Sequence, residues 1–451
     1  MRNHHRLIAA ASVAFCFHSQ MAMADSRSDC ASDNFEIAVM ACTKLIKSKK
    51  ETKKNLVIDY SARSRANEKL RKYLDALNDA NKAIKLDGKS ALALVARGHV
   101  YLATGDRQAA FNDFSNAIKF EPNYAKAFNG MGEIYSGVGD YPTALAWFNK
   151  TISADPNYVY GYSNRAGTYR SLGNLGKSLE DYTKAIALKP DFADAYYERG
   201  LVYGDQSYYD AAIADYSKTI LIDPKYVAAY INRGKMYSQK NDFDHAIADT
   251  DAAVAINPNI PLTYSNLASY YDRKGDSDKA IPAYTKAISY FPTDPNLYYV
   301  RAIHYTTKKN FDLALFDYNQ ALLLNPELIQ ALQNRGALRM QLGEFKLALE
   351  DFDHVIRQEP QFRIAYFARA NIYRVKGDFD LALADFNKAV AIEPNEYFGY
   401  FKRGEMEMMM GRYDEAEADL FKSLNLGPDE NTKAMLTADH FANIALKAKK
   451  K

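Results

Sequence analysis

Cysteine, tryptophan and histidine are scarce in this chain, and each scarcity narrows what it can do. Of 451 residues, three are Cys, one is Trp and eight are His. His4, His5 and His18 sit at the extreme N-terminus, and His99, His245, His304, His354 and His440 are scattered, so no metal-ligand spacing is built. Neither a His-Glu-x-x-His nor a Gly-x-Ser-x-Gly motif occurs. Ser171 to Ser178 imitates a phosphate-cradling loop, but its first glycine is missing and no strand pattern precedes it. Charge of one sign is lacking too: 58 Lys and Arg face 55 Asp and Glu, which gives no electrostatic case for nucleic acid or an anionic membrane. The expectation is a protein without catalysis, cofactor or metal.

No apolar run is long enough to anchor the chain in a bilayer. The longest, Leu7 to Phe17, follows Arg2 and Arg6 and precedes Ala22-Met23-Ala24, a small-x-small cleavage pattern. Residues 1–24 therefore read as a secretory signal peptide, with Phe15 before Cys16 arguing against a lipidated cysteine. An exported chain is expected, in the periplasm or cell envelope, with secretion or an ER lumen as alternatives. No integral membrane segment is then left. Residues 25–56 form a leader carrying Cys30 and Cys42, an even pair in an oxidising compartment, which reads as a disulfide; two buried free thiols are the alternative. Between them, Asp33 and Glu36 have capping-box spacing. Asn149-Lys150-Thr151 matches a glycosylation acceptor, but in mid-helix.

What is abundant is order at long period. Ten of fourteen prolines fall at 122, 156, 190, 224, 258, 292, 326, 360, 394 and 428, each step 34 residues. No globular fold needs that spacing, whereas a stack of identical units does. Eleven units run from Val57 to Glu430. Their eighth residue is always small, their twentieth is Ala except for Ser178, and their eleventh is Tyr in eight units. Each unit holds two helical stretches: the first ends near Gly-Asp, as at Gly105-Asp106, and the second ends before Pro. The bias toward 34 Tyr follows from reuse of one motif.

Unit five, with Tyr196, Gly200, Tyr203, Ala212, Tyr216, Thr219 and Pro224, resembles the tetratricopeptide repeat (TPR). The resemblance covers residues 57–430. It implies an all-α chain of eleven helix-turn-helix repeats stacked into a right-handed superhelical solenoid with a concave inner groove. The Tyr-x-Asn-Arg-Gly form, the Asp-Tyr of the second helix and the Cys-bearing leader look like exported bacterial members. Units one and eleven are degenerate, as capping units would be. Residues 431–451 read as a closing cap helix, spaced at Ala434, Ala438, Phe441 and Ala445, with a solvated basic tail. Pro261 and Pro282 are expected to soften unit seven.

One covariation inside the chain is informative. Arg at the seventh position and Asp at the twenty-third occur in the same nine units, among them Arg199/Asp215, Arg233/Asp249 and Arg369/Asp385. The exceptions change together, to Met131 with Trp147 and Leu267 with Ala283. A structural ion pair between the two helices is expected, since a buried guanidinium needs a carboxylate; the alternative makes the arginines a ladder for ligand.

The resemblance further implies that positions 2, 5, 9, 12 and 13 line the groove. There stand Tyr160, Tyr197, Ile231, Tyr299, Ile364, Phe367, Phe398, Phe401, Met408 and Met409, with the last units turning apolar beside Val375. The lysine with which chaperone-tail-binding TPRs clamp a carboxylate is missing. The expected function is an exported scaffold that binds a protein or extended peptide. The alternative is a structural TPR subunit of a periplasmic polysaccharide or outer-membrane export assembly. A regulatory module of an enzyme would need a catalytic domain, and none is visible.

Overall fold

A computed structural model describes residues 26–48, 50–428 and 430–450; the signal-peptide expectation for residues 1–24 falls outside them. Its regular elements are all α-helices, mostly of thirteen or fourteen residues, joined by tight turns. Within each body they pair as antiparallel hairpins, for example Ala193–Asp205 with Tyr209–Ile222, and neighbouring helices pack in chain order. Two compact bodies result, one ending at Lys240 and one beginning at Asn241. No helix among the described residues is long and apolar enough to cross a membrane.

Local chemistry sets the helix ends. Gly105 takes a left-handed conformation (φ 88°), and the next residue, Asp106, accepts a hydrogen bond from the Ala109 N–H at 2.9 Å. Asp140, Asn174, Asp242 and Asp276 cap their helices in the same way. The hydroxyls of Tyr162, Tyr264, Tyr298, Tyr366 and Tyr400 donate to the carbonyl of the proline six residues earlier at 3.1–3.2 Å. That bond ties the start of one unit to the turn ending the last. Pro261 is the first residue of its helix, where no intrahelical N–H is required, and Pro282 sits inside the continuous helix Ser277–Tyr290. Small eighth positions have a steric cause: a Cβ on Gly200 would lie 2.8 Å from the ring of Tyr216, itself fully buried.

Between the helices of eight units, the arginine Nε and Nη2 reach both oxygens of the buried aspartate at 2.5–3.1 Å. Arg233 belongs to the first body and Asp249 to the second. The guanidinium has a further partner that the sequence reading missed. Its Nη1 donates to the side chain sixteen residues earlier, on the second helix of the preceding unit, at 2.6–3.0 Å. The acceptors are Asn81, Asn149, Thr183, Ser217, Thr285, Asn319, Asp353 and Asn387. Tyrosine rings flank the same group: Arg199 lies 5.7 Å from the Tyr196 ring centroid and 5.8 Å from that of Tyr203. Where the ladder lapses, Met131 packs in one core cluster with Trp147, and Leu267 in another with Ala283.

In unit ten the expected simple pair is instead a cluster of three charges. Arg369 holds the buried Asp385 through Nε at 2.8 Å and Nη2 at 2.7 Å, and it also meets Asp353 at 2.6 Å. Asp385 thus shares its cation with a second carboxylate, because position twenty-five of unit nine carries an acid where the other units that precede an arginine carry a neutral Asn, Thr or Ser. The hydrogen bond to Asp385 outweighs burial and, with Asp353, pushes the Arg369 pKa up.

The leader completes the ladder at the N-terminal end. Its helix Phe35–Lys47 packs on Lys53–Lys69, and Thr43 accepts from Arg63 Nη1 at 2.8 Å in place of a preceding repeat. Cys30 and Cys42 are joined in a disulfide, with their Cα atoms 4.8 Å apart. The N-cap of this helix is Asn34, accepting from the Ile37 N–H at 3.2 Å, and not the expected Asp33. Asp33 is drawn away by cations, meeting Arg65 at 3.3 Å and Lys189, in unit four, at 2.5 Å.

The C-terminal helix Glu430–Lys450 docks on the last repeat, but with a different face from the one expected. Ala434, Ala438, Phe441 and Ala445 are exposed. Leu436 is fully buried against Phe401 and Leu420, and the buried Asn443 donates to the Tyr413 carbonyl at 2.8 Å. Lys447 adds ion pairs to Asp414 at 2.5 Å and Glu417 at 2.7 Å. One large apolar side chain and two polar anchors decide the rotation, which alanines are too small to do. The helix also continues through the expected tail to Lys450.

Breaking one side of a buried ion pair leaves the other charge unpaired. Asp215→Ala is therefore expected to cost about 3 kcal/mol in urea unfolding, and Arg199→Met with Asp215→Trp, the pairing of unit three, clearly less. Equal losses in the single and double variants would remove the charge argument.

Candidate functional site

In the first body the first helices of units three, four and five present small and polar side chains at the positions that the repeat directs inward. Ser136 and Gly137, then Ser163, Gly167 and Ser171, leave room that larger residues would fill. The result is an open cavity of about 750 Å³, with Phe148 and Tyr182 at its base. Its polar lining is Glu133, Asn164, Thr168, Arg170, Glu198 and Asp205.

Hydrogen bonds between neighbouring repeats hold these groups. Asn129 Nδ2 donates to Glu133 at 2.7 Å, and Asn164 Nδ2 to Glu133 at 2.9 Å and to Asn129 Oδ1 at 3.1 Å. His99 approaches Glu133 at 3.4 Å. Burial opposes the charge on Glu133, but His99, Lys69 and the Asn164 amide outweigh it and hold its carboxyl below the usual range. Arg170 serves two carboxylates, Asp205 at 2.8 Å and Glu198 at 3.6 Å. Burial pushes the Glu198 carboxyl up, and Arg170 offsets that only in part. Among the described residues no group of His, Cys, Asp or Glu could hold a metal ion.

Arg199 with Asp215 and Arg369 with Asp385 lie between helices, and none of the four lines the cavity. The aromatic residues selected from sequence lie outside it too. Tyr160 is half-buried, edge-on to Phe192 at 5.3 Å, and accepts from Arg65 at 3.4 Å. Tyr197 accepts from Asn232 at 2.9 Å and Tyr299 from Asn334 at 3.4 Å, so both hydroxyls are tied to the adjoining repeat. Ile231 is half-buried. None of these lines the cavity. The C-terminal apolar set divides. Phe367 and Phe401 are buried, and Met408 packs in the cluster of Phe401, Leu420 and Leu436. These three are core, because the C-terminal helix and the neighbouring rings cover them: Phe398 stands 5.6 Å from Phe367 and 6.3 Å from Phe401. Ile364, Phe398 and Met409 stay exposed, with Val375.

Sequence reasoning missed Glu133, Arg170, Glu198 and Asp205. Three of them occupy inner positions nine, twelve and thirteen, so the signal was present; a preference for aromatic rings hid it.

Comparison with known families finds tetratricopeptide-repeat models matching residues 95–159, 193–226, 227–260, 265–329, 300–372 and 364–396, and a TPR repeat model matching 167–207. Among curated proteins none matches the chain. Similar solved structures include MamA, 26% identical over 37% of this chain and 90% of its own, with a TM-score of 0.35. A tetratricopeptide repeat protein from Parabacteroides merdae is 21% identical over 57% of this chain and 98% of its own, at 0.38. YrrB, described as a TPR protein with an unusual peptide-binding site, is 20% identical over 41% of this chain and 96% of its own, at 0.33.

The division of the C-terminal set is measurable. Phe367→Ala and Phe401→Ala are each expected to lower stability by about 3–5 kcal/mol. Ile364→Ser and Met409→Ser should each change it by less than about 0.5 kcal/mol. Urea unfolding that ranks all four alike would contradict the assignment.

Proposed function

The chain belongs to the tetratricopeptide-repeat family, and from that premise we propose that it is an exported, non-catalytic scaffold holding an extended segment of a partner protein along the inner wall of its first helices. One observation carries the reading. The arginines and aspartates of the ladder and several tyrosine hydroxyls are engaged in fastening helix to helix, while the inner wall of units three to five keeps a cavity with polar groups facing it. Family and fold supply a scaffold, and the site supplies a place for a ligand. Photocrosslinking tests it: p-benzoylphenylalanine at Ser163, on the cavity wall, should yield partner adducts, and at the exposed Lys218 on a second helix it should not. Adducts from Lys218 alone would reverse the assignment.

Export rests on the basic, apolar, small-residue leader and agrees with the Cys30–Cys42 bridge, which an oxidising compartment maintains. Protein from its native compartment is expected to begin at Asp25 and to show no free thiol until reduced. Intact Met1 with two or more reactive thiols would refute export.

A structural role in an envelope export assembly is the second reading. The exposed Ile364, Val375, Phe398 and Met409 favour it, since such side chains on adjoining units commonly meet another protein.

A further inference from the structure

We propose that the cavity of units three to five takes the cationic side chain, arginine or lysine, of an extended peptide; this rests on the peptide-groove reading above and names what that groove selects. Three carboxylates, Glu133, Glu198 and Asp205, line the cavity against one guanidinium, Arg170. That guanidinium is divided between Asp205 at 2.8 Å and Glu198 at 3.6 Å, so neither acid has a cation to itself. Glu133 is oriented by two amides, from Asn129 and Asn164, and also faces His99 at 3.4 Å, so the acids left short of a cation are Glu198 and Asp205. A concave site with excess negative charge focuses its field and attracts a cation more strongly than a flat surface does.

The arrangement also says what kind of cation. No three acidic groups among the described residues converge as metal ligands, so the carboxylates are spread over the wall. Spread acceptors match a side chain with several N–H donors, and a guanidinium can serve two carboxylates at once. The glycines and serines of the wall, Gly137, Gly167, Ser163 and Ser171 among them, let a peptide backbone come close.

A phage-displayed library of random nine-residue peptides, selected on the full chain at low ionic strength, tests the proposal. Enriched peptides are expected to carry Arg or Lys, and replacing that residue by norleucine should weaken binding at least tenfold. Arginine amide alone should bind far more weakly than the peptides. Two variants move in opposite directions: Glu198→Gln with Asp205→Asn should abolish the preference for a basic residue, whereas Arg170→Gln should strengthen it. A residue acting only through the fold would weaken binding in both, and thermal melting of each variant reports on folding. Enriched peptides that bind as tightly after norleucine replacement, or arginine amide binding as tightly as the peptides, would overturn the cation site while leaving the groove. Failure to enrich any peptide would overturn the groove reading along with it.

Discussion

Everything in this structure hangs on a guanidinium that bonds in three directions. Arg199 grips Asp215 with two parallel hydrogen bonds, reaches back to Thr183 in the preceding repeat at 3.0 Å, and lies between the rings of Tyr196 and Tyr203. The first contact sets the two helices of a unit against each other, and the second sets one unit against the next. Burying a charge is costly unless its partners are complete, and here both the aspartate and the polar acceptor are supplied at a fixed spacing of sixteen residues. The bond to Asp215 outweighs burial in raising the Arg199 pKa, so the guanidinium stays charged.

Because these groups are spent between helices, they are not available to ligand, and recognition passes to the inward side chains. Those vary from unit to unit where the ladder does not. In units three to five several are small, Ser163, Gly167 and Ser171 among them, and leave a cavity; in units ten and eleven Phe367 and Phe401 are large and have been drawn into the core. Uniform scaffold and variable wall are two consequences of one division of labour.

The period of the prolines, the small eighth residues and the coupled Arg/Asp positions made the fold readable from the chain alone, because each reflects a contact repeated many times. The third partner was equally readable in principle. A polar residue recurs at position twenty-five of the units that precede an arginine, and the final unit, with no successor, carries the exposed Phe421 there instead. What resisted reading were contacts made once. Asp385 was legible as a partner of Arg369, but the competing Asp353 comes from the unit before and breaks the pattern of neutral acceptors. Asp33 sits at a capping position but is drawn to Arg65 and Lys189, a partner 156 residues away that no local pattern announces. The C-terminal helix offered two faces, and only the fit of Leu436 between Phe401 and Leu420 chose between them. The cavity was missed for a related reason: it is made by what small residues leave empty, and periodicity reports what is filled.

If the arginine fastens two repeats together, removing it should loosen both. Hydrogen exchange on the native Arg199→Met variant is the direct measurement, since it resolves opening helix by helix. The account predicts that protection falls together in the helices of unit five and in Leu175–Leu188, the second helix of unit four that carries Thr183. Loss confined to Ala193–Asp205 and Tyr209–Ile222 would contradict it.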